Sequence, residues 1–118
     1  MYIIYGIKNC DTMKKAFAWL DEHQVQYQFH NYKTDGISAD LIRSFLHLVD
    51  WQCLLNTRGS TWRKLDESVR AAINNEDSAI KIILANPSII KRPLLIEGKR
   101  ALLGFSDESY AQFITSKK

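Results

Sequence analysis

The chain reads as an α/β protein whose two ends build one sheet and whose middle is a helical insertion. Three observations carry that expectation. Tyr2, Ile3, Ile4 and Tyr5 form a β-branched and aromatic run that stops at Gly6, the mark of a short buried strand. Met13, Ala16, Phe17 and Leu20 then recur at the three-and-four spacing of a helix with one apolar face. Near the other end, "PLLIEGKRALLG" (93–104) holds two apolar segments joined through Glu97-Gly98-Lys99, a hairpin signal. A chain of 118 residues with 46% hydrophobic content can bury one sizeable core, so a single domain over residues 1–118 is expected.

The elements follow in order. After a strand at 2–5 and a helix at about 11–23, "VQYQFHNY" (25–32) alternates apolar and polar residues as a half-buried strand does, and Lys33-Thr34-Asp35-Gly36 ends it. Ser38 is placed to cap a helix bearing Leu41, Ile42, Phe45, Leu46, Leu48 and Val49. No strand signal follows until Pro87. Leu65, Val69, Ala72 and Ile73, then Ala79, Ile80, Ile82, Ile83 and Leu84, mark two short helices, and Pro87 stops the second. The helical insertion thus covers about 38–86. Ser106 caps a last helix, with Asp107 and Glu108 favourably placed in its first turn. A strand, helix and parallel strand followed by a hairpin and closing helix is the thioredoxin-like arrangement, β-α-β … β-β-α, here with its middle enlarged.

Within that arrangement Cys10 falls at or just before the first helical turn. Unpaired N–H groups and the positive end of the helix dipole favour an anion there, and a thiolate is an anion. Asn9, Asp11 and Thr12 are polar and Lys8, Lys14 and Lys15 cationic, surroundings in which thiol pKa values fall. The alternative is a small buried hydrophobe, the usual fate of a free cysteine. Cys53, between Gln52 and Leu54 in "DWQCLLN", reads as inert core. Arg92-Pro93 opens the third strand, and a proline there reads either as a cis peptide facing the cysteine or as a plain strand-edge residue.

Composition narrows the class. A net charge of +3 allows an anionic small substrate, and it lacks the dense basic stripe of nucleic-acid binders, so no nucleic-acid partner is expected. No apolar run reaches 18 residues, so no membrane span is expected. A strand within two residues of Met1 leaves no room for a signal peptide, and two cysteines are too few for a disulfide scaffold. Both point to the cytoplasm. His23, His30 and His47 have no metal-ligand spacing with the cysteines, so no metal is expected.

Four stretches, "YGIKNCDTMKKAFAWL", "LLNTRG", "ANPSIIKRPLL" and "GKRALLGFSDESY", together resemble the arsenate reductase (ArsC) family, and most closely its YffB and Spx-like branch. The resemblance spans essentially the whole chain. It implies that Cys10 is the nucleophile and that Arg58 and Arg92 hold the oxyanion and stabilise the thiolate. Asn9, Asp11, Thr12, Pro93 and Arg100 are then the candidate substrate contacts. Two departures shape the chemistry. Arsenate reductases proper carry a third arginine where this chain has Gly104, and bidentate guanidinium contacts are the strong ones for a tetrahedral oxyanion. Many Spx-type regulators carry Cys-x-x-Cys, whereas this chain reads Cys10-Asp11-Thr12-Met13. With no second thiol three residues on, the resemblance implies a cytoplasmic, monomeric thiol oxidoreductase with no bound cofactor. Glutathione would be its co-substrate, with glutaredoxin as a partner and a small oxyanion or mixed disulfide as substrate. The other implied reading is a non-enzymatic regulator that binds RNA polymerase.

Overall fold

The computed structural model describes residues 2–8 and 10–115. In chain order the elements are β1 (Tyr2–Gly6), α1 (Asp11–Glu22), β2 (Tyr27–Asn31), α2 (Ala39–Leu46), α3 (Trp51–Leu54), α4 (Ser60–Arg63), α5 (Glu67–Ala71), α6 (Glu76–Ala85), a 3₁₀ turn at Pro87–Ile89, β3 (Leu94–Glu97), β4 (Arg100–Leu103) and α7 (Asp107–Thr115). They fall into two compact units, Met1–Asn31 with Arg92–Lys118, and Tyr32–Lys91.

The first unit has the thioredoxin-like topology. Its sheet runs β2-β1-β3-β4, with β1 parallel to β2 and antiparallel to β3, and β3 antiparallel to β4. Strand side chains alternate between faces, so Tyr2 and Ile4 of β1 share one face with Leu95 of β3. Met13, Ala16, Trp19 and Leu20 of α1 and Tyr110 of α7 complete that buried cluster. Helix α7 starts as its sequence requires: the Ser109 N–H donates to Ser106 Oγ at 3.0 Å and the Tyr110 N–H to the Ser106 carbonyl at 3.0 Å.

Strand β2 begins two residues later than the alternation of Val25 and Tyr27 predicts. The cause lies in how α1 ends. Gln24 adopts a left-handed φ of 57°, the Val25 N–H reaches the Leu20 carbonyl at 2.9 Å, and the Gln24 N–H reaches the Asp21 carbonyl at 3.1 Å. This is the paired-bond termination usually built on glycine, and Val25 closes it by packing on the core instead of entering the sheet.

The second unit is helical, with Ile42, Phe45, Leu54, Ile83, Ile89 and Ile90 almost wholly shielded from solvent. The Leu41 N–H donates to Ser38 Oγ at 3.1 Å, which starts α2 where expected. Helix α6 starts with a capping box in which Asn75 and Ser78 satisfy each other's N–H groups. Two four-residue helices, α3 and α4, were not legible, since each is shorter than the window over which helical periodicity can be read. This also corrects the placement of Cys53. In α3 the buried residue is Leu54, and Cys53 is exposed.

Candidate active site

Cys10 is the N-cap of α1, with an extended backbone (φ −141°, ψ 127°) whose carbonyl accepts from the Lys14 N–H at 3.0 Å. Its position follows from the buried end of β1 at Gly6 and the apolar face of α1, between which only a short loop remains. Its side chain makes no capping hydrogen bond. Partial burial raises its pKa, but the N–H of Met13, the Arg92 guanidinium and the N–H of Thr12 all favour the thiolate and leave the net value lowered. Cys10 is half-buried and packs against the core cluster.

Arg92 comes to the sulfur because it lies two residues before Leu94, the first residue of β3, and Leu94 pairs with Tyr5 at the carboxyl end of β1. The Arg92-Pro93 peptide is cis, and the Pro93 carbonyl accepts from the Gly104 N–H at 2.8 Å. Asp11 is exposed at the first position of α1, and Thr12 follows with its N–H toward the sulfur. Cys10, Arg92, Pro93, Asp11 and Thr12 therefore stand in one unit around one strand–helix junction. Asn9, also expected there, lies outside the described residues. Arg58 belongs to the second unit, in an exposed turn where its N–H donates to Asn56 Oδ1 at 3.3 Å.

Arg100, expected among the substrate contacts, stands at the other end of the sheet from Cys10. It pairs with Glu97, which in turn pairs with Tyr2 at the amino end of β1. Its Nη1–H donates to the Phe113 carbonyl at 2.7 Å, Nη2 lies 3.3 Å from Glu97 Oε1, and the guanidinium carbon sits 4.2 Å from the Phe113 ring centre. The two contacts to Phe113 tie the hairpin to α7, and the pairing with Glu97 holds the hairpin itself. Among the described residues no group of three or more His, Cys, Asp or Glu side chains could hold a metal ion. Missed by sequence reasoning were the N–H of Met13 and the close approach of its side chain to Gly6. A glycine directly after an apolar strand was the only available signal.

The family model for ArsC matches residues 5–113. The chain belongs to the ArsC family. Among solved structures it is similar to the YFFB protein (51% identity, TM-score 0.87, 94% of this chain and 96% of that one). It is also similar to an arsenate reductase (ArsC) related protein from Brucella melitensis (45% identity, TM-score 0.77, covering 99% and 94%). A further relative of this ArsC-family chain is the global transcriptional regulator Spx of Streptococcus pyogenes, 30% identical over 98% of this chain and 86% of that protein.

Proposed function

We propose that this ArsC-family chain is a thiol oxidoreductase in which the Cys10 thiolate exchanges with glutathione-containing disulfides. The observation that supports this best is the Cys10 sulfur at the amino end of a 12-residue helix with the Arg92 guanidinium beside it, both favouring the thiolate. The thiolate attacks the glutathione sulfur of a mixed disulfide R–S–SG, forming Cys10–S–SG and releasing RS⁻, which takes a proton from water. A glutathione thiolate then attacks the same glutathione-side sulfur, giving glutathione disulfide and regenerating the Cys10 thiolate. The helix terminus and Arg92 act in both halves, raising the thiolate fraction in the first and stabilising the leaving thiolate in the second. Met13 stands three residues on, so the resolving thiol comes from glutathione or a glutaredoxin. Such a cycle belongs in a thiol-reducing compartment, the cytoplasm.

Arg58 is proposed to hold an anionic group of the substrate, on the strength of its match to the family's oxyanion arginines. Arsenate itself is a poor candidate. Gly104 stands where the reductases proper carry their third arginine, its φ of 80° favours glycine, and Arg100 is engaged at the far end of the sheet. The test is turnover of a glutathionylated peptide, followed as glutathione disulfide, for the parent, Cys10→Ser and Cys53→Ser. Loss of turnover in Cys10→Ser alone is expected; loss in Cys53→Ser alone would overturn the assignment.

The Streptococcus pyogenes relative, a global transcriptional regulator, favours a second reading, a regulator in place of an enzyme; its partner would be RNA polymerase, as the Spx-like resemblance implies. Recovery of polymerase with the tagged chain from cytoplasmic extract, unchanged by Cys10→Ser and unaccompanied by any turnover, would favour it over the enzyme.

A further inference from the structure

We propose that Gly6 and Met13 form a positioning pair, in which the Met13 side chain, seated on the bare Cα of Gly6, fixes the first turn of α1 against the end of β1 and so sets the N–H groups that face Cys10. This deepens the reading of Cys10 as nucleophile and rests on it.

Gly6 is the last residue of β1, buried and in register with Asn31 of β2. Its backbone lies outside the left-handed region, unlike that of Gly36, Gly98 or Gly104, so conformation alone would admit alanine. What excludes a side chain is Met13. A Cβ at position 6 would fall 2.6 Å from Met13 Cε and nearer still to Sδ, contacts that real Cβ atoms do not make. Met13 must shift to admit it, and because Met13 is wholly shielded from solvent inside the cluster of Ile4, Ala16, Leu20 and Leu95, that shift is taken up by packed neighbours. The same residue occupies the third position of α1, and its N–H is one of the donors facing the Cys10 sulfur. One residue therefore joins the strand end, through its side chain, to the thiolate, through its backbone. A displacement of a few tenths of an ångström at one end is carried to the other.

The test measures the rate of Cys10 alkylation by iodoacetamide against pH, in a Cys53→Ser background so that one thiol reports. Gly6→Ala is expected to raise the apparent Cys10 pKa by half a unit or more, about a threefold slower reaction at neutral pH. Met13→Ala, which leaves the turn without its seat, is expected to shift it the same way. The double substitution Gly6→Ala/Met13→Ala, in which the new methyl occupies part of the space vacated, is expected to fall back toward the parent. Met13→Leu, which keeps the contact at matched volume, should keep the parent profile. Should Gly6→Ala not fold, Met13→Ala against Met13→Leu carries the test alone. Unshifted profiles in Met13→Ala and Gly6→Ala would overturn the pair, as would additive shifts in the double variant. Alkylation needs no substrate, so an absence of glutathione turnover leaves this outcome standing. Conversely, a flat alkylation response leaves the proposed turnover untouched.

Discussion

Two arginines flank the same hairpin of this ArsC-family protein and are put to opposite uses. Arg92 enters β3 beside the carboxyl end of β1 and acts on the Cys10 sulfur. Arg100 opens β4 at the amino end of β1 and holds Glu97, the Phe113 carbonyl and the Phe113 ring. Their identical chemistry shows that residue type does not make an anion site. The difference is which end of a thioredoxin-like sheet the residue occupies, since α/β folds place reactive groups beyond the carboxyl ends of parallel strands. At the other end the same guanidinium serves as a bracket between a hairpin and a helix.

Exchanging the effects of the two arginines is the most direct way to break this comparison. Arg92→Ala removes a charged donor from the thiolate, worth roughly 1.5–3 kcal/mol. Exchange with a glutathionylated peptide at neutral pH should then fall about tenfold to about 150-fold, with the alkylation profile of Cys10 moved to higher pH. Arg100→Ala should leave exchange intact and lower stability by about 1–3 kcal/mol in urea unfolding, because it removes the charged hydrogen bond to the Phe113 carbonyl and the guanidinium packed on the Phe113 ring. If Arg100→Ala slows exchange as much as Arg92→Ala does, with unfolding unaltered, the division of labour is wrong.

How much of this was legible in sequence depends on how far each interaction reaches along the chain. Cys10 could be placed because a strand end and a helix start, each defined by its own periodicity, bracket it within a few residues. Ser38 and Ser106 could be read as caps because capping partners lie within three residues. Arg100 could not be placed, since what holds it includes a carbonyl 13 residues away in the chain. Cys53 was misjudged for the opposite reason: one turn of helix is too short to reveal which side faces inward. The Gly6–Met13 seat is a shape complementarity, and glycine carries no pattern that announces it.

The Cys10 end of the sheet can also be probed through stability. A folded-state pKa held below its ordinary value contributes stability that is fully present above the unfolded value of about 8.5. That contribution is lost as pH falls through the folded one. The stability of the parent relative to Cys10→Ser should therefore grow between pH 6 and pH 9. A difference that shrinks over that window would show that the folded protein disfavours the thiolate.

Tyr110 sharpens the same contrast from inside the core shared by the two ends. Its hydroxyl is buried and, among the described residues, has no hydrogen-bond partner, while its ring packs edge-on against Phe105 at 4.7 Å and Trp19 at 5.6 Å. Burial pushes its pKa well up, so the neutral phenol's contribution is fully present below pH 10 or so and lost as pH rises toward the folded value. Tyr110→Phe keeps the ring contacts and removes the buried hydroxyl, whose desolvation costs about 1 kcal/mol or more. The variant should be as stable as the parent or more so at pH 7, and should gain on it further above pH 10. A clear loss of stability at pH 7 would reveal a partner for the hydroxyl.

The smallest expected effect lies at the far end of α1, where the helix that carries Cys10 turns back toward the sheet. Gln24 closes it at φ 57°, a conformation that costs a residue with a Cβ about 1 kcal/mol relative to glycine. The two hydrogen bonds that define the turn run from backbone N–H groups to backbone carbonyls and do not need the glutamine side chain. Gln24→Gly relieves the strain but adds freedom to the unfolded chain, and the two partly offset. A net gain of about 0.5 kcal/mol in urea unfolding remains, with no change in the Cys10 alkylation profile. The second readout decides where the effect lives. A shift in that profile would mean that the two ends of α1 are mechanically coupled over its whole length, and that the carboxyl end of the helix helps set the thiolate together with Gly6, Met13 and Arg92.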